Sequence, residues 1–76
     1  MSKVYVVSAG SFVLAARTSQ AGAEAEALEI LKKRDRVTAH SWAYTSGTVR
    51  GLSYRPRGSK DWKSSGIQVT EVLVPA

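Results

Sequence analysis

Between Arg50 and Lys63 the chain reads RGLSYRPRGSKDWK, which interleaves Arg50, Arg55, Arg57, Lys60 and Lys63 with Leu52, Tyr54 and Trp62 and opposes them with Asp61 alone. Cationic side chains beside flat rings can hold phosphates, exposed bases or an acidic protein surface, and none of these side chains activates a bond. The chemistry on offer is recognition. Leu52 and Tyr54 are also the kind of large residue a small core needs, so the expected contact set narrows to Arg50, Arg55, Arg57, Lys60, Trp62 and Lys63. The competing reading makes Trp42, Leu52 and Tyr54 core and the arginines a solvated loop; Trp62, between Asp61 and Lys63, is then either a lid on the sheet or an exposed anchor. A second basic run, Lys32, Lys33, Arg34 and Arg36, has a plain explanation in the negative end of a helix dipole. It gains a functional meaning if it joins the first run in space, because a continuous stripe could track several phosphates.

No constellation for bond chemistry accompanies these residues. His40 is the single histidine and there is no cysteine, so neither a set of three or four metal ligands nor an oriented general base can be assembled from them. Glu24 and Glu26 are two apart and point in different directions on a helix. There is no GxGxxG, no P-loop and no nucleophile elbow, and Ala9-Gly10-Ser11 is too short to cradle a phosphate. The expectation is a non-enzyme without metal or cofactor.

The elements that must position the basic residues follow from periodicity. KVYVVS (Lys3 to Ser8) and FVLAA (Phe12 to Ala16) have the β-branched and aromatic content of strands and form a predicted hairpin about Ala9-Gly10-Ser11. Both faces of each run are apolar, which predicts a covered position in the sheet and not a solvated edge. Thr18 or Ser19 can cap the helix SQAGAEAEALEILKKR, whose apolar stripe is Ala23, Ala27, Ile30 and Leu31 with Leu28 at its margin. Early glutamates, late cations and a Glu29–Lys33 pair suit that helix. After Asp35 the period becomes two. VTAHSWAYT places Thr38, His40, Trp42 and Tyr44 on one side, Ser46-Gly47 turns the chain, Thr48 to Arg55 returns, and Pro56 with Gly58 ends the strand. In that hairpin Trp42 or Tyr44 lies across from Arg50 or Leu52. Lys60 to Gly66 reads as loop and Ile67 to Val74 as a final strand, one that could pair two copies if exposed. The predicted fold class is α+β, order β-β-α-β-β-β, with one helix on an antiparallel sheet whose second face is solvated or pressed against a partner.

Seventy-six residues make a single domain, 1–76, with no disulfide to staple it, and the missing cysteines point to a reducing cytoplasm. No apolar run is long enough to cross a bilayer, and Met1-Ser2-Lys3 followed by a strand-like segment is no signal peptide, so no membrane association is expected. The formal net charge of +5 and sequence pI near 10.0 suit a chain that meets polyanions or acidic surfaces. Half of the acids lie at Glu24, Glu26 and Glu29, whereas the cations dominate after Asp35.

The N-terminal strand, the helix segment EAEALEILKK and the aromatic hairpin ending in YRPRGSKDW together resemble the compact helix-on-sheet anti-CRISPR proteins of bacteriophages. The resemblance spans most of the chain. It implies a stoichiometric inhibitor, acting in the bacterial host cell, that occupies a nucleic-acid channel or protein surface of a CRISPR effector. Some such proteins are basic and promote non-specific DNA contact. The contact residues named above rest on composition and spacing, not on the resemblance. Three functions stand as expectations: an inhibitor of a host protein or nucleoprotein complex, a DNA- or RNA-binding module using the same face, and a small structural or virion component. Either a monomer or a homodimer is compatible with each.

Overall fold

The computed structural model describes residues 2–75. Its elements are β1 (Ser2–Ala9), β2 (Phe12–Arg17), α1 (Gln20–Arg34), β3 (Val37–Tyr44), β4 (Val49–Pro56) and β5 (Lys63–Val74), the α+β order expected from the sequence. The five strands form one sheet in the order β2-β1-β5-β4-β3, and every neighbouring pair is antiparallel. The two hairpins therefore lie at the sides, and the last strand returns between them as the centre.

Helix α1 starts where Ser19 adopts an extended conformation and its hydroxyl accepts from the Gly22 N–H at 3.1 Å. Gly22 serves that cap, because a Cβ there would stand 2.8 Å from the Ser19 hydroxyl. The helix ends at Asp35, whose N–H donates to the Leu31 carbonyl at 2.9 Å. Lys32, Lys33 and Arg34 complement the dipole in the last turn, but the first turn carries no acid, so the dipole is matched at one end only. No ion pair joins Glu29 to Lys33. The expected helix pair is absent, and the helix draws its stability from packing instead.

Residues opposite each other in an antiparallel pair share a face. Ala15, Val7, Val69, Arg50 and Tyr44 consequently form one row across the sheet on the side that carries the helix. Ala23, Ala27 and Leu31 from α1 meet Val7, Leu52, Ile67 and Val69 there, and all seven are buried. The small alanines let the helix approach closely, and each fully buried Leu, Ile or Val contributes roughly 1.5–3 kcal/mol of transfer free energy. Tyr54 is also buried, with Trp42 partly buried against the same cluster. The packing thus places Leu52 and Tyr54 in the core and Trp42 against it, as the competing reading of these three residues had them.

Two placements differ from expectation. β2 is an edge strand, with Phe12 74%, Val13 70% and Leu14 42% exposed, so its two-sided apolar pattern does not mark a covered strand. A one-residue bulge at Leu14 explains part of this, since Val7 pairs with Ala15 but Ser8 pairs with Val13 and the alternation slips between them. β5 begins at Lys63, not Ile67, because Lys63 and Ser64 pair with Tyr54 and Ser53. Between those pairs and Gly51↔Gln68 the strand bulges, and Gly66 adopts φ +75. Ser65 and Ile67, two apart, both face inward here; the Ser65 hydroxyl donates to the Leu52 carbonyl at 2.6 Å and accepts from the Ile67 N–H at 3.1 Å. As the central strand, β5 has no free edge with which to pair a second copy.

Candidate functional site

β4 runs toward the C-terminal end of α1, and the chain segments that leave these two elements meet. The Arg57 N–H donates to the Arg36 carbonyl at 3.0 Å, and Val37 pairs with Pro56. The two basic runs, separate in sequence, are thereby stitched side by side. The tip from Pro56 to Lys63 is held by local bonds: the Ser59 N–H donates to the Pro56 carbonyl at 3.1 Å, Gly58 takes φ +83, and the Asp61 N–H donates to the Ser59 hydroxyl at 3.2 Å. Lys63 lies across from Tyr54, which lies across from His40, so the tip joins the end of the sheet without a break.

Ion pairing separates the cations into two groups. Lys3 pairs with Glu71 at 3.3 Å, Arg17 with Glu26 at 3.2 Å and Arg50 with Glu24 at 2.5 Å. The other basic residues, Lys32, Lys33, Arg34, Arg36, Arg55, Arg57, Lys60 and Lys63, have no ion-pair partner among the described residues. All but Arg55 are exposed, and Arg55 is half-buried. Every one of the eight belongs to the joined end formed by the last turn of α1, the segment after it, the end of β4 and the tip. Asp35 and Asp61 are the acids nearby, and the Asp35 carboxylate accepts a hydrogen bond from the Tyr54 hydroxyl at 2.9 Å. That bond holds the Tyr54 phenol above its usual pKa of 10.0; burial and the carboxylate's charge add to the effect, and Arg34 opposes it.

Trp62 is 51% exposed on this tip, between Asp61 and Lys63, so it is an exposed ring and not a lid. Five of the six expected contacts, Arg55, Arg57, Lys60, Trp62 and Lys63, come together with the secondary run Lys32, Lys33, Arg34 and Arg36. Arg50 does not join them. It lies on the helix-covered face, its guanidinium 5.4 Å from the Trp42 ring centroid and 5.2 Å from that of Tyr44, with the Glu24 carboxylate as its partner. The hairpin that sets Trp42 or Tyr44 across from Arg50 or Leu52 was legible in the sequence, and the register resolves it to Tyr44 across from Arg50 and Trp42 across from Leu52. The partnership with Glu24, 26 residues away, was not; the signal for it was an acidic helix segment facing a hairpin with a large-residue side.

The arrangement is a strongly positive end with one exposed indole. It can neutralise several phosphates and offer a ring for stacking. No group of three or more His, Cys, Asp or Glu side chains among the described residues is placed to hold a metal ion, and no helix there is long and apolar enough to cross a membrane. No protein-family model, curated protein or solved structure matches the chain.

Proposed function

We propose that the chain is a small non-catalytic binding protein that docks through its basic end on the nucleic-acid-bearing surface of a host nucleoprotein complex, in the manner of the anti-CRISPR inhibitors it resembles. The observation that carries this reading is the union at one end of eight cations that have no ion-pair partner among the described residues, while the three remaining cations are neutralised by carboxylates elsewhere. Charge held unpaired costs self-repulsion, and a polyanion is the partner that relieves it. The principal extents of 46 × 23 × 22 Å make this end a narrow one. A cross-section of that width spans on the order of five phosphates of a strand, which suits insertion into an existing channel better than wrapping of a free duplex.

A second reading, direct capture of single-stranded DNA or RNA, is favoured by the exposed Trp62 ring beside Lys60 and Lys63. Purification of the tagged protein from a bacterial lysate, with and without nuclease, separates the two. Capture of one protein complex that survives nuclease supports docking on the complex, and capture lost with nuclease supports the strand-binding reading. Arg55→Glu with Arg57→Glu abolishes capture in either case while the fold is kept. If the double substitution leaves capture unchanged, the basic end is a solvated loop and both readings fall.

A further inference from the structure

The face of the sheet turned away from α1 is almost free of charge. Five charged residues on the strands, Lys3, Arg17, Arg50, Lys63 and Glu71, occupy pairs that share the helix-covered side with Val7, Val69 and Tyr54. Arg55, across from Ala39 at the basic end, is the one charged residue on the open side. This inverts the usual pattern, in which a sheet covered on one side turns its polar residues to water on the other. The open side instead carries Val4, Val6, Val49 and Val72 in adjoining rows, extended by Val13 and Val74, with Gln68 at its middle and small Ser, Thr, Ala and Gly over the remainder. Val13, Val72 and Val74 are 70%, 40% and 39% exposed.

We infer that this open face is covered by the same face of a second copy, giving a sheet-on-sheet homodimer. Three properties select that occupant. A face depleted of charge and built of small and β-branched side chains is complementary to itself: its hydroxyls can pair across the seam, and its one cation, Arg55, lies at the far end. Its size is sufficient: five strands at roughly 4.8 Å spacing and about eight residues long give a flat projection on the order of 600 Å², close to the roughly 800 Å² per partner of a standard interface once corrugation is counted. The cations also tell in favour, because those without an ion-pair partner among the described residues sit at one end and only Arg55 of them lies on the face. A two-fold axis in the sheet plane and across the strands sends the two basic ends in opposite directions, which minimises repulsion between copies of net charge +5. The dimer then presents two polyanion-binding ends at its extremes, and single-end binding survives if the dimer is disrupted.

The test is sedimentation velocity of the full chain over a concentration series, read together with far-UV circular dichroism. Gln68, on the central strand β5, is exposed and pairs with Gly51 and Ser8 in the middle of the open face. Wild type should sediment as a dimer of 8.2 kDa chains that tightens as salt screens the net charge. Gln68→Lys and Gln68→Glu should each keep the circular dichroism spectrum and raise the dimer Kd more than about 100-fold by opposing like charges. An equimolar mixture of the two variants should recover the dimer, a result that misfolding cannot produce. A wild type that remains monomeric at all concentrations overturns the inference. So does a dimer indifferent to both Gln68 substitutions, as pairing through the β2 edge would give, or one that salt dissociates.

Discussion

Arg50→Met keeps the aliphatic stem and removes the guanidinium, and it separates the structural cation from the functional ones. Arg50 and Glu24 are 20% and 21% exposed, so their pair is neither a surface bridge nor a fully desolvated one. A charge-assisted bond of that kind contributes about 1.5 kcal/mol after discounting for partial exposure. The two ring contacts, to Trp42 and Tyr44, add about 0.5 kcal/mol each. Against these stands the buried Arg50 Nε, which has no hydrogen-bond partner and whose removal recovers about 1 kcal/mol. Leaving the Glu24 carboxylate half-buried without its cation costs a further ~1 kcal/mol, so the expected net loss is about 2–3 kcal/mol. For a chain of this size that lowers Tm by roughly 8–24 °C and moves the urea midpoint without changing the slope. Urea unfolding followed by tryptophan fluorescence gives the number, and a cycle with Glu24→Gln gives the part due to the pair. Below its melting temperature the variant should bind an oligonucleotide as the wild type does, since Arg50 is not part of the basic end. A variant of unchanged stability that loses oligonucleotide binding would refute this assignment and return Arg50 to the contact surface.

Two further outcomes test the fold around the site. The Tyr54 phenol has a folded-state pKa above 10.0, so the stability it contributes is present below pH 10 and is lost as pH rises through the folded value; the alkaline fall in stability should therefore be shallower in Tyr54→Phe than in wild type, as measured by urea midpoints against pH. Ala27→Arg forces a charge into the helix–sheet seam, where Ala27 is wholly buried, and should cost more than about 4 kcal/mol, leaving no cooperative unfolding transition by circular dichroism.

The helix, the two hairpins and the α+β class were legible because each rests on a local signal: a Ser19 cap, an Ala23–Ala27–Leu31 stripe, a change of period after Asp35 and a turn between Tyr44 and Val49. What local patterning does not encode is which strand sits in the middle. The edge position of β2 and the central one of β5 are decided by the crossover of α1 and by pairing between residues as distant as Val7 and Val69. Gly66 was read as the end of a loop, yet its positive φ builds a bulge inside a continuous strand. At the site, sequence spacing grouped Arg50 with Arg55 because both follow the same turn, but alternation along β4 turns them to opposite faces. The join between the two basic runs is made by the Arg57–Arg36 backbone bond, the Val37–Pro56 pair and the Tyr54–Asp35 hydrogen bond, and no pattern within either run announces it. The charge-poor open face was within reach of the sequence, since Val4, Val6 and Val72 sit at alternate positions, but only the pairing register shows that every strand charge except Arg55 falls on the other side.

The central claim is that the end formed by Lys32 to Arg36 and Arg55 to Lys63 binds phosphates. The most direct measurement is the salt dependence of binding to a fluorescent single-stranded oligonucleotide by wild type and by Arg57→Glu with Lys60→Glu. With on the order of five phosphates neutralised, log K should fall against log salt with a slope of about −3 to −4, and the double variant should bind more weakly with a slope at least ~1 unit shallower. Binding that is absent at low salt, or a slope that the double substitution leaves unchanged, would contradict the account.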